Sequence, residues 1–399
     1  MKVAIGALLG PLGGVSEYGR QLIRALDRIE GPHRFYVITD EPEQLRGVSG
    51  SVEVIALPFR GGLDRLRWQH WALPRLVKRL RPDLYHDTKN ALPWRLPVPS
   101  VVTIHDLAMY RCPETFTFSA RQFLQRHTEH AVRRARRIIA VSRSTRHDLE
   151  DLFDVGHKTD VVYNGISPEF FEAPVPAAEA TVLEKHGIAF GSYVLSVGTL
   201  QPRKRVAELL SAVLQLRASG HSDLRLVIVG RAGWKSEALQ RQIAAHPEAV
   251  TWLGPVPGDE LPALYRGAAV FASPSSYEGF GLTVAEAMAA GAPVLTTRVS
   301  SLPEVGGKCV RYVDEPTTSQ LTTALGEMLA MDGLRRELAN EAKARAERFR
   351  WERAAAETVA VYETAVWGAA ASAKTGETRG LERFSHHWHG RQKKSGRVM

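Results

Sequence analysis

Short apolar runs alternate with amphipathic stretches along this chain, and this alternation constrains its fold more than any other feature. In the first half, strand-like runs lie at residues 3–8, 35–39, 52–57, 84–86, 101–104, 138–141 and 160–163. Several of them are apolar throughout, which is typical of parallel sheets covered by helices on both faces. Helical stretches separate them, so the pattern predicts an α/β sheet wound on both sides.

The same pattern restarts in the second half. Further strand-like runs lie at residues 193–197, 224–229, 250–253, 269–273 and 294–297. Between the halves, a stretch around residues 172–182 is rich in Pro and Ala and has no periodicity, which is typical of a linker. The length of 399 residues also exceeds the usual limit of one core. We therefore expect two doubly wound parallel-sheet domains. Because ligands bind beyond the carboxyl ends of such strands, a cleft should lie between them.

The composition excludes several classes of protein. Apolar residues make up 44% of the chain and charged residues 24%, as in ordinary globular domains. Cys112 and Cys309 match no metal or redox spacing, so a reducing cytosol fits better than an oxidising compartment. The N-terminus enters a glycine loop too early for a signal peptide, and no apolar run approaches the ~20 residues of a membrane span. We expect a cytoplasmic protein.

The net charge of +9 is concentrated in two segments. Residues 121–137 carry six Arg against one Glu, and residues 373–399 carry seven Lys or Arg against two Glu. Aromatic side chains accompany both, so one interpretation is attraction to an anionic membrane surface, worth roughly 1 kcal/mol per nearby basic residue. A solvated helix face and a disordered tail are the alternative. No recognised module accompanies the charge, so we expect no nucleic-acid partner.

The segment EGFGLTVAE at residues 278–286 carries the strongest functional signal. A strand-like run precedes it, and Gly291 and Pro293 end the helix that it begins. Glu278 should therefore lie in the loop beyond a strand, and Glu286 one turn into the following helix. Free N–H groups at the start of that helix would bind an anion. Two carboxylates beside a phosphate-sized anion site predict a nucleotide-sugar site.

A basic pair marks the first strand-to-helix turn of the second half, in the segment SVGTLQPRKR at residues 196–205. Arg203 and Lys204 are placed there to neutralise a diphosphate, Lys as a point charge and Arg as a bidentate fork. Taken alone, they could equally be surface residues at the start of a helix. Their presence in the same domain as residues 278–286 favours the functional interpretation.

Two weaker signals lie in the first half. The glycine-rich turn at residues 9–15 permits close approach of the backbone to a ligand, although a plain strand-to-helix turn would look the same. His105 and Asp106 follow the strand-like run at residues 101–104, so they should lie at the cleft, where the imidazole could hydrogen-bond a sugar. A structural His–Asp pair is the alternative.

Together these motifs resemble the retaining GT-B glycosyltransferases of glycosyltransferase family 4 over residues 1–367. The stretches that resemble family motifs are residues 162–166, 194–204, 259–266, 274–281 and 301–305, in family order. The resemblance implies an α/β fold of the GT-B type, in which two Rossmann-like doubly wound parallel-sheet domains face a central cleft. The expected parts are an N-terminal acceptor-side domain at 1–172, a linker at 173–190, a C-terminal nucleotide-sugar domain at 191–345, a helix crossing back to the first domain at 346–369 and a basic, disordered tail at 370–399.

The resemblance also implies a role for each matched residue. His105 and Glu278 would contact the transferred sugar at the reacting centre, and Glu286 would hold the ribose hydroxyls. The residues expected to bind the donor are Gly14, Gly198, Arg203, Lys204, Gly279, Phe280, Gly281, Leu282 and Glu286. Many family members place an Arg directly after the glycine that corresponds to Gly198, whereas this chain has Thr199. Charge at that point must therefore come from Arg203 or be absent.

The expected reaction is transfer of a sugar from a nucleoside-diphosphate sugar to a hydroxyl of a glycan or lipid-linked acceptor, with retention. No Asp-x-Asp pair occurs, so we expect neither metal nor cofactor, and the phosphate charge should be met by cations and helix N–H groups. By resemblance, GDP-mannose is the first choice of donor and a UDP-sugar the second. The acceptor would be polyprenyl-linked or a glycolipid, in bacterial cell-surface polysaccharide or glycolipid synthesis, on the inner face of the cell membrane.

Two other interpretations stay open from the sequence. A GT-B sugar-nucleotide epimerase would share a two-domain cleft, although the carboxylates at residues 278 and 286 speak against it. A non-catalytic membrane- or polyanion-binding protein would need only the basic segments. Glycoside hydrolysis is rejected, because Glu286 is committed to a phosphate-binding helix and Glu278 alone gives no nucleophile–acid pair.

Overall fold

The structure is a computed structural model, and it describes residues 1–8, 13–48, 50–57, 64 and 67–368. All structural statements below concern these residues. Most of the glycine turn at residues 9–15 and the basic tail predicted at residues 370–399 lie outside them.

A seven-stranded sheet forms the first domain, and all of its strands are parallel. Its order is β3-β2-β1-β4-β5-β6-β7. The strands are β1 (Lys2–Gly6), β2 (Arg34–Thr39), β3 (Val52–Ala56), β4 (Leu84–Asp87), β5 (Ser100–Ile104), β6 (Arg137–Ala140) and β7 (Thr159–Val161). β4 and β5 are buried along their whole length, including the polar His86 and Asp87 of β4, as expected for strands of a parallel sheet covered on both faces.

A six-stranded parallel sheet forms the second domain, in the order β10-β9-β8-β11-β12-β13. The strands are β8 (Tyr193–Val197), β9 (Arg225–Val229), β10 (Val250–Gly254), β11 (Val270–Ser273), β12 (Val294–Thr297) and β13 (Arg311–Val313). In both domains the strand order reverses beside the first strand, which creates the crevice where doubly wound sheets bind ligands. The prediction of two doubly wound parallel sheets is confirmed.

Helices connect the strands of the first sheet. They are α1 (Gly14–Asp27), a π-helical turn (Trp68–Ala72) that continues into α2 (Leu73–Leu80), α3 (Ala108–Arg111), α4 (Phe118–Arg134) and α5 (Arg143–Phe153). Short 3₁₀ turns lie at Pro42–Leu45, Pro113–Thr115, Gly156–Lys158 and Pro168–Phe170. α1 and α5 both begin beyond strands whose carboxyl ends face the second domain. They therefore bring their N-termini towards the cleft.

The second domain and the C-terminus supply the remaining helices. They are α6 (Pro176–Lys185), α7 (Val206–Ala218), α8 (Glu237–Ala244), α9 (Leu261–Gly267), α10 (Leu282–Ala290), α11 (Leu302–Gly306), α12 (Thr318–Ala330), α13 (Asp332–Ala346) and α14 (Trp351–Trp367), with a 3₁₀ turn at Pro202–Lys204. Among the described residues, no helix is both long and apolar enough to cross a membrane.

The segment predicted as a linker without periodicity is partly helical. α6 occupies residues 176–185, begins with Pro176 and buries only Leu183, which joins the core of the second domain. A helix that contributes one buried side chain leaves little periodic signal in its sequence, and Pro at the first helical position starts a helix rather than breaking it.

The C-terminal helix packs on the first domain. Trp351 and Tyr362 of α14 share a buried cluster with Val3 and Ile5 of β1 and Tyr18 of α1. Tyr362 also hydrogen-bonds the buried His86 of β4, with 2.7 Å between the hydroxyl and Nδ1. The helix expected at residues 346–369 runs from Trp351 to Trp367, and it is separate from α13, which ends at Ala346. The crossing helix is therefore α14 alone.

Candidate active site

The loop from β11 to α10 places Glu278 at the carboxyl end of the second sheet. α10 begins at Leu282, directly after Gly281, which has a φ of 90° that side chains rarely adopt. The Glu278 backbone is fixed on both sides, because its N–H donates to Ser300 Oγ at 2.8 Å and its carbonyl accepts from Ser301 Oγ at 2.9 Å. The backbone N–H groups of residues 279–283 donate to none of the described residues. They are therefore available to an anion.

Glu278 pairs with both cations of the basic segment. Its Oε1 lies 2.5 Å from Lys204 Nζ, and its Oε2 lies 3.2 Å from Arg203 Nη1. Ser275 Oγ donates a further hydrogen bond to Oε1 at 2.6 Å, and Arg203 also donates to the Tyr277 carbonyl at 2.8 Å. Lys204 and Arg203 lie on the 3₁₀ turn after β8, so two strand tips of one sheet meet in this cluster.

The charges of this cluster are held in a buried site. Burial alone raises the pKa of Glu278, but Lys204, Arg203 and the Ser275 hydroxyl outweigh it and lower the pKa to about 2. Burial lowers the pKa of Lys204, and the Glu278 carboxylate opposes that effect. Glu278 is therefore ionised near neutral pH, and a carboxylate beside two cations can exchange its partners for phosphate oxygens.

Gly279 brings the two domains into direct contact. A Cβ atom at this position would lie 1.7 Å from the His105 carbonyl oxygen and 2.8 Å from Asp106 Cβ. The glycine is needed here for close approach, since its φ does not lie in the left-handed region. The donor-side loop and the tip of β5 therefore form the two walls of one narrow cleft.

His105 lies in this cleft as a neutral imidazole. Burial lowers its pKa to about 4, against the smaller opposing effects of the Thr88 carbonyl and Asp106. Its Nε2 lies 2.7 Å from the Thr88 carbonyl oxygen, which can only accept, so Nε2 carries the proton. Nδ1 is then a hydrogen-bond acceptor, suited to a sugar hydroxyl. The Tyr18 ring packs edge-on against the imidazole, with 4.8 Å between ring centroids.

Ten of the eleven predicted site residues line one cleft between the domains. They are Gly14, His105, Gly198, Arg203, Lys204, Glu278, Gly279, Phe280, Gly281 and Leu282. A Cβ on Gly14 would meet no described atom within 4 Å, so the described residues leave room for a ligand on this side of the cleft. Gly198 has a φ of 144° and lies beside the Lys204 side chain.

Glu286 is the predicted site residue that is not among those lining the cleft. It lies one turn beyond Leu282 on α10, and its Oε2 accepts a hydrogen bond from the buried Tyr265 hydroxyl at 3.0 Å. Burial, with smaller contributions from Glu17 and Glu169 of the first domain, raises its pKa to about 8 against the opposing effect of the Tyr265 hydrogen bond. Near neutral pH this carboxyl therefore holds a proton in the absence of ligand.

The cleft also contains residues for which no site role was predicted from the sequence. Besides Asp106 and Thr199, they are Val15, Val141, Asn164, Gln201 and Thr283. Asn164 is 6% exposed, and its Oδ1 is buried without a hydrogen-bond partner among the described residues. Asn164 belongs to the segment at residues 162–166 that resembles a family stretch. A short polar side chain beside Gly165 in this segment is the sequence feature that could have indicated its place in the site.

The arrangement combines groups for an anion with groups for hydroxyls. Two cations and the N-terminus of α10 would hold phosphate, and a carboxylate and a neutral imidazole would hold a polyol. Within the described part of the chain, no group of three or more His, Cys, Asp or Glu side chains is placed to hold a metal ion.

Comparisons with known proteins agree with this geometry. The family described as "Glycosyl transferases group 1" matches residues 184–345, and "Glycosyltransferase Family 4" matches residues 12–170. O-antigen chain mannosyltransferase B of Escherichia coli is 30% identical over 299 residues, which cover 74% of this chain and 77% of that protein. D-inositol 3-phosphate glycosyltransferase of Corynebacterium jeikeium is 29% identical over 370 residues, which cover 88% of this chain and 84% of the relative.

The fold is shared with a solved structure as well. Anabaena Alr3699/HepE, crystallised with UDP and glucose, superimposes with a TM-score of 0.72 at 20% identity, over 91% of this chain and 100% of that structure. Likeness at this identity supports the GT-B fold. Together with the sequence matches, it shows that the chain belongs to the group 1 glycosyltransferases of family 4 and is a GT-B glycosyltransferase.

Proposed function

We propose that this glycosyltransferase moves mannose from GDP-mannose to a hydroxyl of a glycan or lipid-linked acceptor, with retention of anomeric configuration and without a metal ion. The cluster of Glu278 with Lys204 and Arg203, facing the N-terminus of α10, is the observation that carries the proposal. Membership of a glycosyltransferase family favours transfer over epimerisation and over a purely binding role.

In this proposal the residues of the cluster have separate roles. Lys204, Arg203 and the backbone N–H groups of residues 279–283 would stabilise the charge on the departing nucleoside diphosphate. Glu278 would release one or both cations to the phosphates and accept hydrogen bonds from hydroxyls of the transferred sugar. His105 Nδ1, as the acceptor of a neutral imidazole, would bind another hydroxyl near the reacting carbon.

The chemical step needs no further group from the protein. The bond between the anomeric carbon and the phosphate oxygen breaks, and the acceptor oxygen attacks from the same face. The acceptor's proton passes to an oxygen of the departing phosphate, so atoms and charges balance. Proton NMR of the first product would check the stereochemistry, and a product with the opposite anomeric configuration would refute retention.

The donor is chosen from the relatives. E. coli O-antigen chain mannosyltransferase B supports mannose, and the UDP bound by Anabaena Alr3699/HepE makes a UDP-sugar the second candidate. Thermal unfolding with GDP, UDP and ADP would decide between the bases. A ligand at 100 times its dissociation constant stabilises the folded protein by about 2.7 kcal/mol. We expect the largest shift with GDP; negligible shifts with all three would contradict the nucleotide-sugar site.

The acceptor side of the proposal rests on a basic and aromatic surface of the first domain. Phe118 and Phe123 of α4 are 74% and 46% exposed, and they accompany the Arg residues of segment 121–137. Trp94 is 51% exposed and packs on His130 of the same helix, with 4.3 Å between ring centroids. Such a surface suits the inner face of a cell membrane, where bacterial surface polysaccharides or glycolipids begin.

Flotation with liposomes tests this surface directly. The protein should float with vesicles of anionic lipid at low salt and stay behind with vesicles of neutral lipid. Replacing Phe118 and Phe123 by Ser should reduce flotation while transfer to a water-soluble acceptor is unchanged. Absence of binding to anionic vesicles at low salt would refute the membrane role and leave the transferase proposal intact.

A further inference from the structure

Hydroxyl groups of the first domain hold a carbonyl of the donor-side loop. The Gly279 oxygen accepts hydrogen bonds from Ser142 Oγ at 2.6 Å and from Thr145 Oγ1 at 3.1 Å. Ser142 and Thr145 are completely buried at the N-terminus of α5. The same Ser142 oxygen also accepts from the Thr145 N–H at 3.0 Å and thereby caps the helix.

A second contact fixes α5 against the second domain. The Glu304 carboxylate of α11 accepts from the N–H groups of Arg143 and Ser144, both at 3.0 Å, and from the Tyr163 hydroxyl at 3.1 Å. An acidic side chain of one domain therefore binds the helix N-terminus of the other, where the helix dipole favours negative charge. The position of the Ser142 and Thr145 hydroxyls relative to Gly279 is fixed by this contact.

The hydrogen bonds to the Gly279 carbonyl also determine the direction of the Phe280 N–H in the same peptide. A trans peptide is planar, with its C=O and N–H pointing in opposite directions. Because the Gly279 carbonyl faces α5, the Phe280 N–H faces away from it, and it donates to none of the described residues. Hydrogen bonds accepted at the oxygen also polarise the peptide and strengthen its N–H as a donor.

We propose that Ser142 and Thr145 are positioning residues of the donor site, which orient the Gly279–Phe280 peptide so that the Phe280 N–H binds the phosphate attached to the sugar. The inference rests on the proposed function, and it adds that the first domain completes the phosphate site of the second. Donor phosphate binding is thereby coupled to contact between the domains. Opening the cleft would break both hydrogen bonds to Gly279 and release the peptide.

The ratio of nucleoside diphosphate to nucleoside monophosphate affinity tests this role. The two ligands share base, ribose and first phosphate, so their ratio reports on the phosphate that the Phe280 N–H would bind. Thr145→Val removes one hydroxyl and keeps the N–H that Ser142 caps. We expect the ratio to fall several-fold in Thr145→Val and at least tenfold in the double variant with Ser142→Ala, with kcat falling in parallel and monophosphate affinity unchanged.

Matched variants separate positioning from folding. Thr145→Ser keeps a hydroxyl and should restore the ratio. Ser144→Ala removes a neighbouring hydroxyl that bonds none of the described residues, and it should behave like the wild type. A ratio and kcat that stay unchanged in the double variant would overturn the proposal, and so would equal losses of diphosphate and monophosphate affinity. A wild-type protein that binds neither ligand would instead overturn the proposed function.

Discussion

The ammonium group of Lys204 lies 2.5 Å from the carboxylate of Glu278, and the two side chains, which line the cleft, are only 16% and 10% exposed. The carboxylate that suits the sugar thus pairs with the cations that suit a diphosphate and offsets one of their two positive charges. A donor would have to share or displace this ion pair. Lys204 and Glu278 should therefore respond differently to substitution.

Lys204→Ala and Glu278→Gln should change nucleoside diphosphate affinity in opposite directions. Loss of the ammonium removes a charge-assisted hydrogen bond, so the affinity should fall about 10- to 100-fold. Glu278→Gln removes the carboxylate that competes for Lys204 and Arg203, so the free diphosphate should bind as tightly as to wild type or several-fold tighter. Turnover should nevertheless fall at least ~100-fold, because the sugar loses its acceptor.

Isothermal titration calorimetry and steady-state rates check this pair of variants. Glu278→Gln leaves two cations without their carboxylate, and Lys204→Ala leaves Glu278 with Arg203 as its remaining cation, so both variants should also unfold at lower temperature than the wild type. A parallel fall of diphosphate affinity in both would contradict the competition between carboxylate and phosphate. Arg205→Ala, which removes a more exposed cation paired with Glu208 on the adjacent turn, is the matched control and should change neither quantity.

Gly279→Ala should separate the domains. The added Cβ would overlap the His105 carbonyl oxygen at 1.7 Å, and backbone atoms cannot move aside as a flexible side chain can. We expect kcat/KM to fall at least ~100-fold, since a displacement of about 1 Å is enough for such a loss. Small-angle scattering should show a larger radius of gyration. Gly333→Ala in α13, where a Cβ would meet nothing within 4 Å, should leave both measurements unchanged.

The local sequence predicted which residues lie at the strand tips, but it did not predict the side-chain contacts that join the two domains. Lys204 and Glu278 follow strands of one parallel sheet, so topology alone brings them to the same edge. Their pairing in the absence of ligand depends on side-chain distances that no periodicity encodes. The bonds from Glu304 to the start of α5 span about 160 positions. Such contacts depend on how two separately folded sheets are oriented, and the sequence carries no repeating pattern for that.

Tyr277 is a single residue whose contacts with the other domain could not be predicted from the local sequence. Its neighbour Glu278 was placed correctly in the loop beyond β11, yet the Tyr277 ring packs in the core of the first domain. Its hydroxyl donates to Asp148 of α5 at 2.7 Å and accepts from the Leu107 N–H at 3.2 Å. An aromatic residue before a glycine turn is ordinarily expected to pack within its own domain, so its sequence context could not reveal this partner.

Asn164→Ala should lower catalysis while stability is preserved. The buried Oδ1 of Asn164 bonds none of the described residues, so its removal breaks no hydrogen bond among them. Because the side chain lines the cleft, it should accept from a donor hydroxyl, and kcat/KM should fall about tenfold. Thermal unfolding without ligand should change little. A large loss of stability with normal kinetics would assign the side chain to the fold instead.

Glu286→Gln should stabilise the protein at high pH and remove the pH dependence of nucleotide binding. The folded-state pKa of about 8 lies above the ordinary value of 4.5, so the folded protein holds a proton that the unfolded chain has released. This contribution to stability is fully present below about pH 4.5 and is lost as the pH rises through about 8. Glutamine carries no charge to desolvate, so the unfolding temperature of the variant should exceed that of the wild type at pH 8.5.

The affinity for the nucleotide should depend on the same titration of Glu286, but it should rise with pH, whereas the stability of the protein falls. Two ribose hydroxyls are best accepted by an ionised carboxylate, so binding would expel the proton from Glu286. The affinity of the wild type should therefore rise between pH 6.5 and 8.5, by up to about tenfold per pH unit below the pKa. In Glu286→Gln the affinity should be lower and independent of pH across this range. Calorimetry in buffers of different ionisation enthalpy would count the released proton directly, and a wild-type protein that releases none on binding would show that Glu286 does not contact the ribose.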